Sequence, residues 1–394
     1  MSNPPSEPKR ILALDGGGIR GVFTLQILAK IEELFRKEHN KPDLVLADKF
    51  DLIAGTSTGA IIAAFLKWGM PVSEIKKLYD DQASKMFARE RWYRRWKSKF
   101  RAGAIAEFFR ETFVENDGTP AKFGSPKLGK YLLVVMRNAS TGTSWPLCNN
   151  PDAKYMCSSR EDCNLDIPIW QLLRASTAAP YYFPPEQIKL GKSEFLFVDG
   201  GLTPYNNPSL IAVLTATLPQ YKLGWRANRE DLHVISVGTG SVRAKLPSKV
   251  AGKINMLDQI KYLAPAMLSS VGDDQDKLCR ILGDLVNGNE MDSKDGRHIL
   301  GVKEMDTEIG SLNEPSLFNQ AEQKFTYVRY DQPFTVSPDE AKHMVKGQTE
   351  MDNVKLKPFL RKTGEDYAEK NVCIEHFYPR ATYSPLNSSS VTKL

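Results

Sequence analysis

IAGTSTG, residues 53–59, holds one serine, Ser57, between Gly55 and Gly59, with FDL before it and the apolar AIIAAFL after it. A short apolar run, a tight turn of small residues and a second apolar run read as a buried strand, an elbow and a buried helix. Such an elbow forces its central residue into a strained backbone and lifts that side chain above the sheet edge. Glycines two positions to either side are needed because a Cβ there would collide with opposing backbone. The helix that follows turns its free N–H groups toward any anion formed at the serine. Ser57 is therefore the candidate nucleophile, with Gly55 and Gly59 as the elbow glycines.

The same grammar occurs upstream. RILAL (10–14) ends at Asp15 and runs into DGGGIRG, after which Leu28, Ile31, Leu34 and Phe35 fall at helical spacing opposite Gln26, Lys30, Glu33 and Lys37. Gly16, Gly18 and Gly21 fit the GxGxxG spacing of a dinucleotide-binding turn, which supports a Rossmann-type oxidoreductase as the rival function. They equally fit an oxyanion hole, in which successive glycines aim N–H groups at a developing alkoxide and Arg20 adds positive charge. A second glycine turn that carries a serine makes acyl transfer the economical reading of both. YLLVVM (131–136), FLFV (195–198) and LHVISVG (232–238) are further strands, with helical stretches such as IPIWQLLRAS (167–176) between them. This alternation predicts a mainly parallel sheet with helices on both faces. Beyond about residue 245 the pattern becomes more helical and polar, with FTYVRY (325–330) as its one obvious strand.

None of the five histidines (39, 233, 298, 343 and 376) follows a strand end, and His233 sits inside a buried strand as a core group. A better base is Asp199 in FLFVDGG, where a strand ends on a carboxylate. In a parallel sheet the strand ends share one edge, which would bring Asp199 to Ser57 and to the Asp15 turn.

DGGGIRG, GTSTG and DGG, in this order, resemble the patatin-like phospholipases, and WQLLRASTAAPYYFPP (170–185) looks like that family too. The resemblance implies a three-layer α/β/α patatin-like fold with a helical C-terminal extension. It maps a serine–aspartate dyad onto Ser57 and Asp199, an oxyanion hole onto Gly16, Gly17 and Gly18, and the usual basic position onto Arg20. The implied reaction releases fatty acids from membrane phospholipids through an acyl-enzyme, with no cofactor and no metal. CRILGDL (279–285), FTYVRYDQP (325–333) and MDNVKLKPFL (351–360) look similar to the bacterial patatins of cyclic-oligonucleotide anti-phage signalling, which implies a cyclic dinucleotide activator. An unregulated lipid acyl hydrolase is the simpler alternative. By this reading 9–240 is the catalytic core, 241–378 a regulatory part packed on the same domain, and 1–8 and 379–394 are disordered tails.

Charge is concentrated. The chain carries +6, and RERWYRRWKSKFR (89–101) alone holds seven Arg or Lys against one Glu. Arg91, Trp92, Arg94, Arg95 and Trp96 suit a helix lying in an anionic membrane interface, a phosphate or nucleotide site, or an amphipathic cover over the core. The longest apolar run, AIIAAFL, is far short of the roughly 18 to 20 residues of a membrane span, so lipid contact would be peripheral. The polar start lacks a signal-peptide core, and five cysteines without CxxC spacing read as reduced thiols, not as a zinc site. The expected setting is cytoplasmic, at the inner face of the cell membrane when active, with phospholipid as partner, no polymeric nucleic acid, and room for a homo-oligomer.

Overall fold

The computed structural model describes residues 7–86, 102–157, 159–180, 182–240, 271–287, 322–332 and 356–378. The expectations for segment 89–101, with Arg91, Trp92, Arg94, Arg95 and Trp96, and for the tails other than residues 7 and 8, lie outside the described residues.

Nine strands form one sheet: β1 (Lys9–Leu14), β2 (Leu52–Thr56), β3 (Tyr131–Asn138), β4 (Thr143–Cys148), β5 (Glu186–Leu190), β6 (Ser193–Asp199), β7 (Leu232–Val237), β8 (Asp284–Asn287) and β9 (Thr326–Tyr330). Their order is β5-β6-β3-β2-β1-β7-β9-β8, with β4 on β3. From β3 through β8 every pairing is parallel. These strands are covered on both faces, which is why they appear in the sequence as unbroken apolar runs.

Alternate residues feed two cores. Leu12, Leu14, Ile53, Val134, Val237 and Val328 pack under α1 (Gly21–Glu38), α2 (Thr58–Lys67), α3 (Val72–Met86), α4 (Ala102–Thr112) and α5 (Ile169–Ser176). Ile11, Leu52, Ala54, Val234 and Tyr327 face α6 (Ser209–Thr217) and α7 (271–282). Three layers result, as the sequence implies. The C-terminal helix α8 (Lys357–Asn371) lies on α1, with Tyr367 5.7 Å from Phe23 ring to ring. Two strands after residue 240, β8 and β9, extend the sheet itself.

One expectation about direction is corrected. β6 is antiparallel to β3, pairing Asp199 with Met136, so Asp199 does not arrive with the parallel strand ends. Met136 also pairs with Trp145 of β4, and Val135 with both Pro146 of β4 and Thr56 of β2. A strand has two edges, so β2 and β6 share the one that β4 leaves free. Along it β2 runs up to Val135 and stops, while β6 runs down to Met136 and stops. Ser57 and Asp199 therefore meet head-on at the junction of two opposed strand ends.

Candidate active site

The elbow is strained where the sequence requires. Ser57 has φ 52° and ψ −122°, a region that side-chain-bearing residues avoid at a cost of about 1 to 3 kcal/mol. A Cβ on Gly55 would stand 2.3 Å from the Gly59 carbonyl oxygen, and one on Gly59 would stand 2.2 Å from that of Leu14. Side chains from distant elements hold the turn. The Ser57 N–H donates to Ser176 Oγ at 2.9 Å, and Ser176 Oγ donates to the Val135 carbonyl at 2.7 Å. One residue on, the Thr58 and Tyr79 hydroxyls lie 2.7 Å apart, pinning the start of α2 to α3.

Ser57 Oγ donates to Asp199 Oδ2 at 2.7 Å, and both residues are buried. Asp199 Oδ1 accepts the Gly201 N–H at 2.7 Å, and the Asp199 N–H donates to the Ala178 carbonyl at 3.0 Å, so the carboxylate is fixed on both sides. Burial pushes its carboxyl up from 3.8 to about 6, with the Gly201 N–H, the Ser57 hydroxyl and the charge of Arg174 pulling the other way. A carboxylate with that value is a stronger base than a solvated one and is still ionised at neutral pH. Arg174 is itself fully buried, within 3.9 Å of Glu186 and 5.2 Å above the Phe183 ring.

The described histidines lie elsewhere. His39 follows α1, and His376 bonds the Tyr330 hydroxyl and the Cys373 thiol. His233 is buried in β7, where burial pulls its imidazole down to about 4 and keeps it neutral.

The DGGGIRG turn packs directly on the elbow: a Cβ on Gly16 would come within 3.3 Å of Ser57 Cβ and 2.4 Å of Asn206 Oδ1. These contacts within the chain account for the missing side chain without a dinucleotide. The Gly16 N–H donates to the Asn206 carbonyl at 3.1 Å, whereas the Gly17 and Gly18 N–H groups donate to no acceptor among the described residues. In a trans peptide the N–H points opposite to the preceding C=O, so fixing a carbonyl aims the next amide. The Gly16 carbonyl accepts from Thr239 Oγ1 at 3.4 Å and Asn206 Nδ2 at 3.5 Å, which orients the Gly17 N–H. The Gly17 carbonyl accepts from Arg20 Nε at 3.3 Å, which orients the Gly18 N–H. Arg20 also donates to the Gly240 carbonyl at 3.0 Å. Its guanidinium thus ties the carbonyl of Gly17 to that of Gly240.

Sequence reasoning brings Ser57, Asp199 and the glycine turn together and misses their supports: Ser176, Arg174, Asn206, Thr239 and Tyr79. Ser176 and Arg174 lie within WQLLRASTAAPYYFPP, a stretch that stood out without a chemistry attached. Among the described residues no group of three or more His, Cys, Asp or Glu could hold a metal, and all five cysteines are free. No helix among them is long and apolar enough to cross a membrane.

The family model described as "Patatin-like phospholipase" matches residues 12–213. The cGAMP-activated phospholipase of Escherichia coli is 33% identical over 234 residues, covering 58% of this chain and 62% of that protein. The cGAMP-activated phospholipase of Vibrio cholerae is 29% identical over 276 residues, covering 65% of this chain and 73% of that protein. Patatin-01 of Solanum tuberosum is 28% identical over 256 residues, covering 59% of this chain and 60% of its own. The chain thus spans less than two thirds of the first and last of these relatives.

Proposed function

Because the chain belongs to the patatin-like phospholipase family, we propose that it is a serine acyl hydrolase of the phospholipase A type working through a Ser57–Asp199 dyad. The observation that carries this reading is the 2.7 Å bond from Ser57 Oγ to a buried carboxylate at a strained elbow. Ser57 Oγ attacks the ester carbonyl of a phospholipid while its proton passes to Asp199 Oδ2. The oxyanion forms beside the glycine turn, where the Gly17 and Gly18 amides donate to it; Gly16 shapes the turn. As the tetrahedral intermediate collapses, Asp199 returns the proton to the departing lysolipid oxygen and an acyl ester remains on Ser57. Water then attacks that ester, Asp199 takes its proton and passes it to Ser57 Oγ, and the fatty acid leaves.

A carboxylate is a weak base for a serine hydroxyl, so the reaction depends on its partners. Burial raises the basicity of Asp199. Each well-aimed oxyanion donor contributes roughly 3 to 4 kcal/mol. Fatty-acid release from phospholipid vesicles tests the reading. It requires loss of release in Ser57→Ala, and a Ser57→Ala protein as fast as the unsubstituted chain would end it.

Control by a cyclic dinucleotide is the finer part of the proposal, supported by the names of the two bacterial relatives. A panel of cyclic di- and trinucleotides added to the vesicle assay tests it. One member should raise the rate and the melting temperature together, and a panel that changes neither removes this part alone. Peripheral contact with an anionic membrane face belongs to the same proposal. It predicts co-sedimentation with anionic vesicles over neutral ones, and equal recovery with both would refute it.

A further inference from the structure

The sheet carries a cluster of buried charge that the dyad does not use. Arg329 lies on β9 with its guanidinium almost wholly buried. Nη1 donates to Asp15 Oδ1 at 3.0 Å and to Ser236 Oγ at 2.7 Å, and Nη2 to Asp15 Oδ2 at 2.7 Å and Asp331 Oδ2 at 2.8 Å. Burial works against its charge, but the carboxylates of Asp15 and Asp331 hold its proton well above the ordinary arginine range.

Both carboxylates lead to the glycine turn. Asp15 is its first residue. Asp331 Oδ1 accepts the Gly240 N–H at 2.8 Å, the Gly240 carbonyl accepts from Arg20, and Arg20 Nε holds the Gly17 carbonyl. Asp331 comes so close to the β7 exit that a Cβ on Gly238 would stand 2.2 Å from its Cγ. One guanidinium therefore ties the turn at its entry through Asp15 and at the Gly17–Gly18 peptide through Asp331, Gly240 and Arg20.

Burying Arg329 and Asp15 here, with Asp331 partly exposed beside them, adds little to stability, since a well-packed apolar cluster in place of a buried ion pair is often neutral or better. What the charges supply is direction. A planar fork with fixed donors meets Asp15 through both of its oxygens and reaches Asp331 and Ser236 as well, which a point charge cannot do. On the premise of the acyl-transfer reading above, we infer that Arg329, contributed by the C-terminal part of the chain, is a positioning residue that holds the Gly17 and Gly18 amides in place for the oxyanion. β9 thereby makes the C-terminal part a working component of the active site.

Arg329→Lys and Asp331→Asn in the full chain test this, read by steady-state hydrolysis of a soluble fluorogenic ester, by the rate of fluorophosphonate labelling at Ser57, and by the melting temperature. Lysine keeps the charge but loses the fork, so kcat and the labelling rate should each fall about 100-fold, the penalty of a slightly misplaced catalytic array. KM should stay within about threefold, because ground-state binding does not use the oxyanion donors. Asp331→Asn should produce a smaller loss of the same kind. A purely structural role would lower the melting temperature of both variants and leave kcat and labelling below that temperature unchanged, which overturns the inference. An unsubstituted chain that neither hydrolyses esters nor labels at Ser57 overturns the acyl-transfer reading and this inference with it. Active unsubstituted protein with an equally active Arg329→Lys overturns this inference alone.

Discussion

Asp199→Asn should slow turnover by orders of magnitude and make the protein more stable. Asparagine has the shape of the carboxylate and can still accept the Gly201 N–H at the Oδ1 position, while its amide nitrogen donates to Ser57 Oγ, whose own proton gives up this acceptor at a cost smaller than the charge penalty removed. The carboxyl titrates at about 6 in the fold against 3.8 when exposed, a value already net of its bonds to Gly201 and Ser57. Two pH units correspond to about 3 kcal/mol that the fold gives up at neutral pH to keep this group ionised. The sign follows from linkage. The folded carboxyl holds its proton up to about 6 and the unfolded one only to 3.8, so proton binding favours the fold below 3.8, and that advantage is lost as pH rises through about 6. Asparagine removes the penalty. With an unfolding entropy of roughly 2 cal/mol/K per residue, the gain corresponds to about 3 to 4 °C in melting temperature at pH 7, shrinking as pH falls through 6. Loss of the base should lower kcat by about 10² to 10⁴-fold. Thermal denaturation at pH 7 and pH 5 beside an ester hydrolysis assay reads both effects. A variant that melts lower than the unsubstituted protein at pH 7 would show that ionised Asp199 does not cost the fold stability, and one that keeps its kcat would show that Asp199 is not the base.

The kcat/KM of the unsubstituted protein should rise with pH around 6 and then level, because Asp199 must be ionised to accept the proton and Asp15, which burial also raises to about 6, must be ionised to meet Arg329; a flat profile from pH 5 to 8 would contradict this. Ser57→Ala and Ser57→Gly should both be inactive, but the glycine variant should be the more stable by about 1 kcal/mol, since only the alanine keeps a Cβ at φ 52°. Equal melting temperatures would argue against strain at the elbow. Gly59→Ala would press a methyl to 2.2 Å from the Leu14 carbonyl and should lower stability by about 3 kcal/mol with loss of activity, read by chemical denaturation.

Parallel central strands were legible because burial on both faces writes them as apolar runs. The elbow, the glycine turn and Asp199 were legible because turns are punctuated by glycine. The direction of β6 was not, since an apolar run reads the same whichever way the strand is laid down. β4 carries Pro146 and is only partly buried, and β5 alternates exposed and buried residues over five positions, so neither rises above its surroundings. The supports of the site were out of reach for a different reason. Ser176 lies 119 residues from Ser57 and Arg329 lies 314 from Asp15. A hydrogen bond across such a span leaves no local pattern, and each of these residues reads as an ordinary polar group until the sheet order sets it beside its partner.

In the proposed reaction Ser57 carries the acyl group and Asp199 moves its proton. The most direct measurement is a rapid acid quench during turnover of a phospholipid, followed by mass analysis of the peptide containing Ser57. An acyl increment is expected on Ser57 within the first turnover, and none in Asp199→Asn on the same timescale. Fatty acid released by a protein whose Ser57 never carries that increment would contradict it.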